Sequence, residues 1–380
     1  MSHVRAVSPS ALGELLGLFE ENFRSRGEIG ASVSVWWRGD EVLSIADGWC
    51  EKEKDRVWTK DTLVPVYSAT KGPAATTLLM VLEGEGMGPE TLVRDVWPKF
   101  PVPDASFAHL LSHQCGLAAL DQRASVWDHD EVILAIEAQV PAWRPGEGHG
   151  YHPRTFGFLM EEPVRRLTGK PLGTLWREKI AKPLELDFWI GLPEVEWPRV
   201  ARLYPGKAAA EDFKSGFYRE FNQEGSVTRR AFGSPRGLHS VQEMNHSKAW
   251  AAGLPAMGGV GTASALAKFY QAVIGAIASP ISDSVCRALG TVRTSGEDRV
   301  LIQPTAFSCG CQLDPVNEAG KKSRELYGPS GNAFGHPGAG GSHAFGDPDG
   351  GISFAYVMNQ MELSVLPGPK SVNMVRALYS

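Results

Sequence analysis

Apolar positions along this chain follow two periods, and the switches between them mark its elements. Residues 31–37 and 41–46 read as two strands joined at Arg38-Gly39-Asp40, a tripeptide whose composition predicts a hairpin turn rather than an adhesion signal. Ahead of them, Ser8 caps a helix with Pro9 at its first position, and Leu12, Leu15, Leu16 and Phe19 form one apolar face. The run Leu63-Val64-Pro65-Val66-Tyr67 leads into a helical pattern over about 68–86, in which Ala74, Ala75, Leu78, Leu79 and Leu82 recur at three- and four-residue steps. Gly84, Gly86 and Gly88 end it.

From 90 to 235 short helical patterns alternate with Pro and Gly breaks. The clearest covers 156–168, with Phe156, Leu159, Val164 and Leu167 and a stop at Gly169. The stretch 204–235 is loop-rich and carries Phe213, Phe217, Tyr218, Phe221 and Phe232. Such a run suits the lining or cover of a pocket, and suits ordinary packing equally. After about 255 strands return. Thr262 caps a helix holding Leu266, Phe269, Tyr270 and Val273; residues 299–313, 342–347 and 352–359 read as strands; Asp349-Gly350-Gly351 turns between the last two; and a helix near 370–379 follows. Strands at both ends with helices between predict an α/β lobe built from 1–90 and 236–380, with a mostly α-helical lobe, 91–235, inserted into it.

Composition narrows the function classes. At 380 residues the chain is long enough for a large core and two lobes. Its net charge of −5 is modest and unclustered, and no basic stripe or Lys/Arg block points to nucleic acid or to a membrane surface. Five scattered cysteines do not make a disulfide framework, and Cys309-Gly310-Cys311, in an apolar strand-like run, reads as buried thiols. Met1-Ser-His-Val-Arg lacks the apolar segment of a secretion signal, and no stretch approaches a membrane span, so a cytoplasmic location is expected.

The chemistry centres on Tyr67-Ser68-Ala69-Thr70-Lys71-Gly72. Ser68 stands where a helix begins and Lys71 follows one turn later, so their side chains share a face. A serine hydroxyl needs a neighbour to take its proton, and a helix start offers unpaired N–H groups to a developing oxyanion. Alone the spacing is weak: a Ser-x-x-Lys arises about once by chance in a chain this long. The competing reading is an N-capping serine beside a solvated lysine. His109 and His113 lie four apart but lack the glutamate of a zinc-protease helix, and His149 and His152 lack a third ligand. Gly340-Gly341-Ser342-His343-Ala344 misses the last glycine of a hydrolase elbow and its strand–turn–helix context.

Two further places matter. A turn-rich segment, Trp143 to Gly157, delivers Tyr151 just before a helix. A tyrosine titrates near 10, too high for a general base, and an adjacent Lys71 ammonium would favour its phenolate. Otherwise the ring packs and the hydroxyl hydrogen-bonds. Phe334 to Ser342 is glycine-rich, which lets a backbone approach a ligand or supply an N–H to an oxyanion; it reads equally as a turn between strands.

Taken together, Ser68-Ala-Thr-Lys71, Tyr151 and His336-Pro337-Gly338, in this order and spacing, resemble the serine β-lactamase superfamily, and within it the class C β-lactamase-like branch that includes the family VIII carboxylesterases. His109 to Leu117, Gly258 to Ala263, Gly346-Asp347-Pro348 and Tyr356 to Asn359 resemble further segments of that branch, so the likeness spans most of 30–360. It implies an antiparallel sheet flanked by helices plus an α-helical insertion. It also implies an acyl-enzyme on Ser68, proton transfer shared by Tyr151 and Lys71, an oxyanion hole of the Ser68 and Ala339 backbone N–H groups, and substrate binding by His336, Pro337 and Gly338.

Two departures bear on substrate. Pro153 stands where class C lactamases carry an asparagine, and His336-Pro337-Gly338 replaces their Lys-Thr-Gly. A neutral histidine offers little to a substrate carboxylate, although its charge is expected to return below pH ~6.5. The Ser-Asp-Asn marker is absent, since Ser282-Asp283-Ser284 falls too late in the chain. These losses favour neutral substrates, with short-chain esters first. An amide-directed hydrolase, an acyltransferase and a non-catalytic scaffold are the alternatives. No metal or organic cofactor is called for, the expected partner is a small-molecule ester, and nothing encodes an oligomeric state.

Overall fold

The computed structural model describes residues 7–207 and 215–380. Helix α1 (Pro9–Ser25) begins as its sequence dictates, with the Ser8 hydroxyl accepting from the Ala11 N–H at 3.0 Å. Strands β1 (Gly30–Trp37) and β2 (Asp40–Gly48) form a hairpin whose turn carries Arg38 and Gly39 at positive φ. The short β3 (Val64–Pro65) leads through a 3₁₀ turn, Ser68–Thr70, into α2 (Lys71–Gly84). Then come α3 (Thr155–Thr168), β4 (Phe188–Ile190), α4 (Gly216–Asn222), α5 (Val227–Gly233), β5 (Gly259–Gly261) and α6 (Ala263–Val273), with other short helices between. The chain closes with β6 (Thr294–Glu297), β7 (Pro304–Phe307), β8 (Gln312–Leu313), β9 (Phe334–Gly335), β10 (His343–Asp347), β11 (Ile352–Met358) and α7 (Pro369–Leu378).

The main sheet is antiparallel throughout, in the order β2-β1-β11-β10-β9-β8-β7-β6. Its period-two pattern feeds two cores. Val33 and Val35 of β1 and Phe354 and Tyr356 of β11 pack with Leu15 and Phe19 of α1 and Met374 and Val375 of α7. Ala355 and Val357 face the other way, into the larger core of α2 and α6. With helices on both faces, β10 and β11 are buried along their whole length. A second sheet, β3-β5-β4, clamps the entry to α2: the Val66 N–H donates to the Gly259 carbonyl at 3.0 Å, and the Gly259 N–H donates to the Thr70 hydroxyl at 2.8 Å.

Three local expectations are corrected. Residues 299–313 are not one strand: the chain turns back between β6 and β7 around Asp298, and again between β7 and β8. Cys309-Gly310-Cys311 therefore lies in a turn, with both thiols buried, and Gly310 sits at φ +95°. Helix α2 starts at Lys71 rather than 68 and ends at Gly84. Ser68 is not an N-cap, because its side chain takes no backbone N–H of the helix. Gly169 does end α3, at φ +70°, where the left-handed conformation suits glycine. No helix among the described residues is long and apolar enough to cross a membrane.

Candidate active site

Tyr67 enters the site at φ 49° and ψ −128°, a conformation that costs a non-glycine residue on the order of 1–3 kcal/mol. That kink sets Ser68 at the first position of the 3₁₀ turn, where backbone N–H groups have no partner within the helix. The turn is held by the β5 clamp and by the Thr70 hydroxyl, which donates to the Tyr67 carbonyl at 2.5 Å.

Lys71, at 0 % exposure, is the most constrained group in the site. Its Nζ lies 3.1 Å from Ser68 Oγ, 3.1 Å from the Pro153 carbonyl and 2.8 Å from the Ala256 carbonyl. As an ammonium it donates one hydrogen to each. Burial lowers its pKa well below the usual lysine value. The geometry gives that shift a direction. Two of the three partners are carbonyls, which only accept, so they hold both hydrogens of a neutral amine. The lone pair is then left for the serine hydroxyl. Pro153, where the asparagine is missing, contributes through its backbone oxygen.

Tyr151 stands over the same point, with Lys71 Nζ 4.9 Å from its ring centroid and its hydroxyl turned to Ser68. The two groups meet, but the expected phenolate does not follow. Burial pushes the Tyr151 hydroxyl up, and this outweighs its hydrogen bond to Ser68. Desolvation thus acts on both partners toward their neutral forms.

His336 corrects a second expectation. Its pKa is pushed down to about 3 by burial and by Lys71, so its charge does not return near pH 6.5. Its ring lies 5.9 Å from that of Tyr151, centroid to centroid, and Nδ1 donates to the Pro337 carbonyl at 2.8 Å. Nε2 is therefore an acceptor, buried without a partner among the described residues. Gly338 is dictated by close approach: a Cβ there would lie 2.0 Å from the Val66 carbonyl oxygen, two residues before Ser68. The Gly338 N–H donates to the Ser342 carbonyl at 2.7 Å. Ser342 itself is fully buried, which removes it as a rival to Ser68.

Two residues support the centre without having announced themselves. Asp298, in the turn between β6 and β7, accepts the Tyr151 N–H on both carboxylate oxygens, at 3.0 and 3.1 Å. It also accepts from the Val300 and Leu301 N–H groups and the Thr305 hydroxyl. His113 stands apart from His109, the neighbour that its spacing suggests. His109 closes a capping box with Ser106, while His113 packs its ring 5.0 Å from Tyr151 and 4.4 Å from Phe156. Burial and the neighbouring His152, Lys71, His336 and His149 hold His113 well below the usual imidazole range. His149 bonds Thr305 and Thr294, and His152 accepts from the Leu117 N–H at 3.0 Å, so these imidazoles are structural.

A cavity of about 450 Å³ opens on Ser68 and Ala339. Lys71 and Tyr151 lie behind Ser68, and of the 336–339 segment only Ala339 borders the cavity. The far wall comes from the loop-rich stretch: Phe221 and Asn222 of α4, Arg229, Phe232 and Gly233 of α5, then Leu238 and His239. Phe217, Phe221 and Phe232 pack on one another at ring separations of 5.4–5.9 Å, knitting α4 to α5. Phe213 falls outside the described residues. Arg154 fastens the next loop, donating to the Pro235, Gly237 and Leu238 carbonyls.

Comparison with known proteins identifies the family. The family described as Beta-lactamase matches residues 17–371. Esterase/beta-lactamase LipL of Mycobacterium tuberculosis is 30% identical over 356 residues, covering 90% of this chain and 80% of LipL. Among solved structures, a penicillin-binding protein homolog from Caulobacter crescentus superposes with a TM-score of 0.85 at 32% identity, over 99% of this chain and 98% of that one. A family VIII carboxylesterase does so at 0.84 and 31%, with the same coverage. A match of this extent, on an antiparallel sheet flanked by helices, shows that the chain belongs to the β-lactamase family and is a serine hydrolase.

Proposed function

We propose that the chain is a carboxylesterase acting on small, short-chain carboxylic esters through an acyl-enzyme on Ser68. The observation that carries this reading is the Lys71 amine: its pKa is lowered by burial, its two hydrogens are directed to the Pro153 and Ala256 carbonyls, and its remaining position faces Ser68 Oγ at 3.1 Å. Ser68 Oγ attacks the acyl carbonyl as its proton passes to Lys71 Nζ. The developing oxyanion is received by the Ser68 and Ala339 backbone N–H groups. Tyr151 retains its proton in the resting enzyme and is the donor to the leaving alkoxide, recovering a proton from Lys71. Water, with Lys71 again as base, then releases the acid. His336, Pro337 and Gly338 act from behind, seating the loop that presents Ala339.

The names of the relatives support esters. LipL's name also mentions β-lactamase, which favours an amide-directed second reading. Against it stands the neutral His336, which brings no cation to the place where the lactamase lysine acts. The test is turnover of p-nitrophenyl acetate, butyrate and octanoate beside nitrocefin, by wild type and Ser68→Ala. Ester turnover that falls by at least ~10³ in the variant is expected. Ester turnover retained by the variant would reject Ser68, and nitrocefin turnover matching that of the esters would favour the amide reading.

A further inference from the structure

The protein is net acidic, yet the cavity in front of Ser68 is not. Among its described lining residues there is no aspartate or glutamate, whereas Arg154 and Arg229 both border it. Arg154 is buried, and all three of its hydrogen bonds go to neutral carbonyls, so its charge has no ion-pair partner among the described residues. Glu243, a carboxylate whose charge acts on it, is committed to the N–H groups of His239 and Ser240. Arg229 is exposed at the cavity rim, and among the described residues its guanidinium makes one hydrogen bond, to the Asn222 carbonyl at 3.2 Å, which leaves most of its donors without a described protein partner. His239, on the same wall, is lowered by burial and then by the neighbouring Arg154 and Arg236. A cavity with apolar aromatic walls, fixed positive charge and no acid among its described lining residues is suited to an organic anion.

We infer that the wall carrying Arg229 is an anion subsite, and that the preferred esters bear a carboxylate some bonds away from the scissile carbonyl. The class is half-esters of dicarboxylic acids, or esters of carboxylated alcohols. This rests on the esterase reading and narrows it. The charge lost at His336 is replaced by cations on the opposite side of Ser68, so the neutrality argument applies to one end of the cleft only. Arg229 supplies the fork that pairs with a carboxylate, and Arg154, held in the wall, adds potential without direct contact.

The experiment compares each anionic ester with its neutral isostere: p-nitrophenyl hydrogen glutarate against p-nitrophenyl methyl glutarate, and 4-acetoxybenzoate against its methyl ester. Wild type, Arg229→Gln and Arg219→Gln are assayed at low and high salt. Arg219 lies on α4, outside the cavity lining, and controls for net charge. The expected result is a higher kcat/KM for the anionic member of at least one pair. That preference should fall about fivefold in Arg229→Gln, fall with added salt and persist in Arg219→Gln. Turnover of the neutral esters with no anionic preference in either pair would overturn the subsite and leave the esterase reading standing. A preference that Arg219→Gln removes as fully as Arg229→Gln would also overturn it, assigning the effect to overall charge. Silence toward all four esters would remove the esterase reading, and the subsite with it.

Discussion

The surroundings of Lys71 and the wall built by α4, α5 and the 234–239 loop face each other across Ser68, and they are made differently. Around Lys71 the partners come from segments far apart in the chain: the buried backbone carbonyls of Pro153 before α3 and Ala256 before β5, and the half-buried Ser68 hydroxyl before α2. The opposite wall comes from one continuous stretch of short helices, half-buried at Phe221 and Phe232 and exposed at Asn222 and Arg229. It is tied to the body at a few points, such as Thr228 to the Val300 carbonyl at 2.8 Å and the Arg230–Asp121 pair. A centre assembled from distant backbone depends on the fold that brings those segments together rather than on any one local side chain. A wall made of local side chains can be revised while the chemistry stands.

That contrast can be broken from the buried side first. Lys71→Met keeps the volume but removes the proposed base, and kcat/KM for p-nitrophenyl butyrate is expected to fall by about 10²–10⁴, with the circular dichroism spectrum retained. On the proposed mechanism the active form is the one with Lys71 deprotonated. Its folded pKa is lowered, so kcat/KM should rise with pH through a limb below the ordinary lysine value and level off above it. His336, pushed down to about 3, contributes no limb between pH 5 and 8. A rate that declines as pH rises through neutrality would mean that an ammonium, not an amine, is required.

Gly338→Ala is the intermediate case. The added methyl meets the Val66 carbonyl at 2.0 Å, so either the Ala339 loop or the Ser68 turn must move. An overpacking cost of about 1–3 kcal/mol is expected in urea unfolding, with a larger loss in kcat than in KM. Full stability with unchanged kcat would show that the loop is free to shift. The smallest effect is expected on the wall: Phe232→Ala should weaken octanoate relative to acetate by about fivefold in kcat/KM, with acetate turnover the internal reference. An equal loss for both esters would make the wall part of the centre and dissolve the distinction.

Legibility in the sequence divides along the same line. The β1–β2 hairpin, β10, β11 and α2 are read from local periodicity because each buries a face that its own residues define. Ser68, Lys71 and Tyr151 are found by motif and resemblance, and the structure brings them together. What escapes is whatever depends on burial or on distant partners. A lysine beside a tyrosine suggests a phenolate until both are enclosed, when desolvation drives each to its neutral form. Asp298 carries no motif, since its role is to accept N–H groups across a turn that an apolar run from 299 to 313 disguises as a strand. His113 is written in a His-x-x-x-His spacing that suggests a shared ligand, but its positive φ of 64° turns it away from His109 and toward Tyr151. The aromatic stretch does line a cavity, and its two arginines are visible only once the wall is assembled.

The place of β11 in the sheet has a consequence for the order of events at the ribosome. Its register sets Met358 against Ala31, and α1 and α7 bury one core together. The β1–β2 hairpin is synthesised well before β11 and must wait for that neighbour, on the order of tens of seconds at ~5–20 residues per second. During that interval one edge of β1 is unpaired, with Val33 and Val35 uncovered. The nascent chain is thus most exposed to faulty association at its first strands.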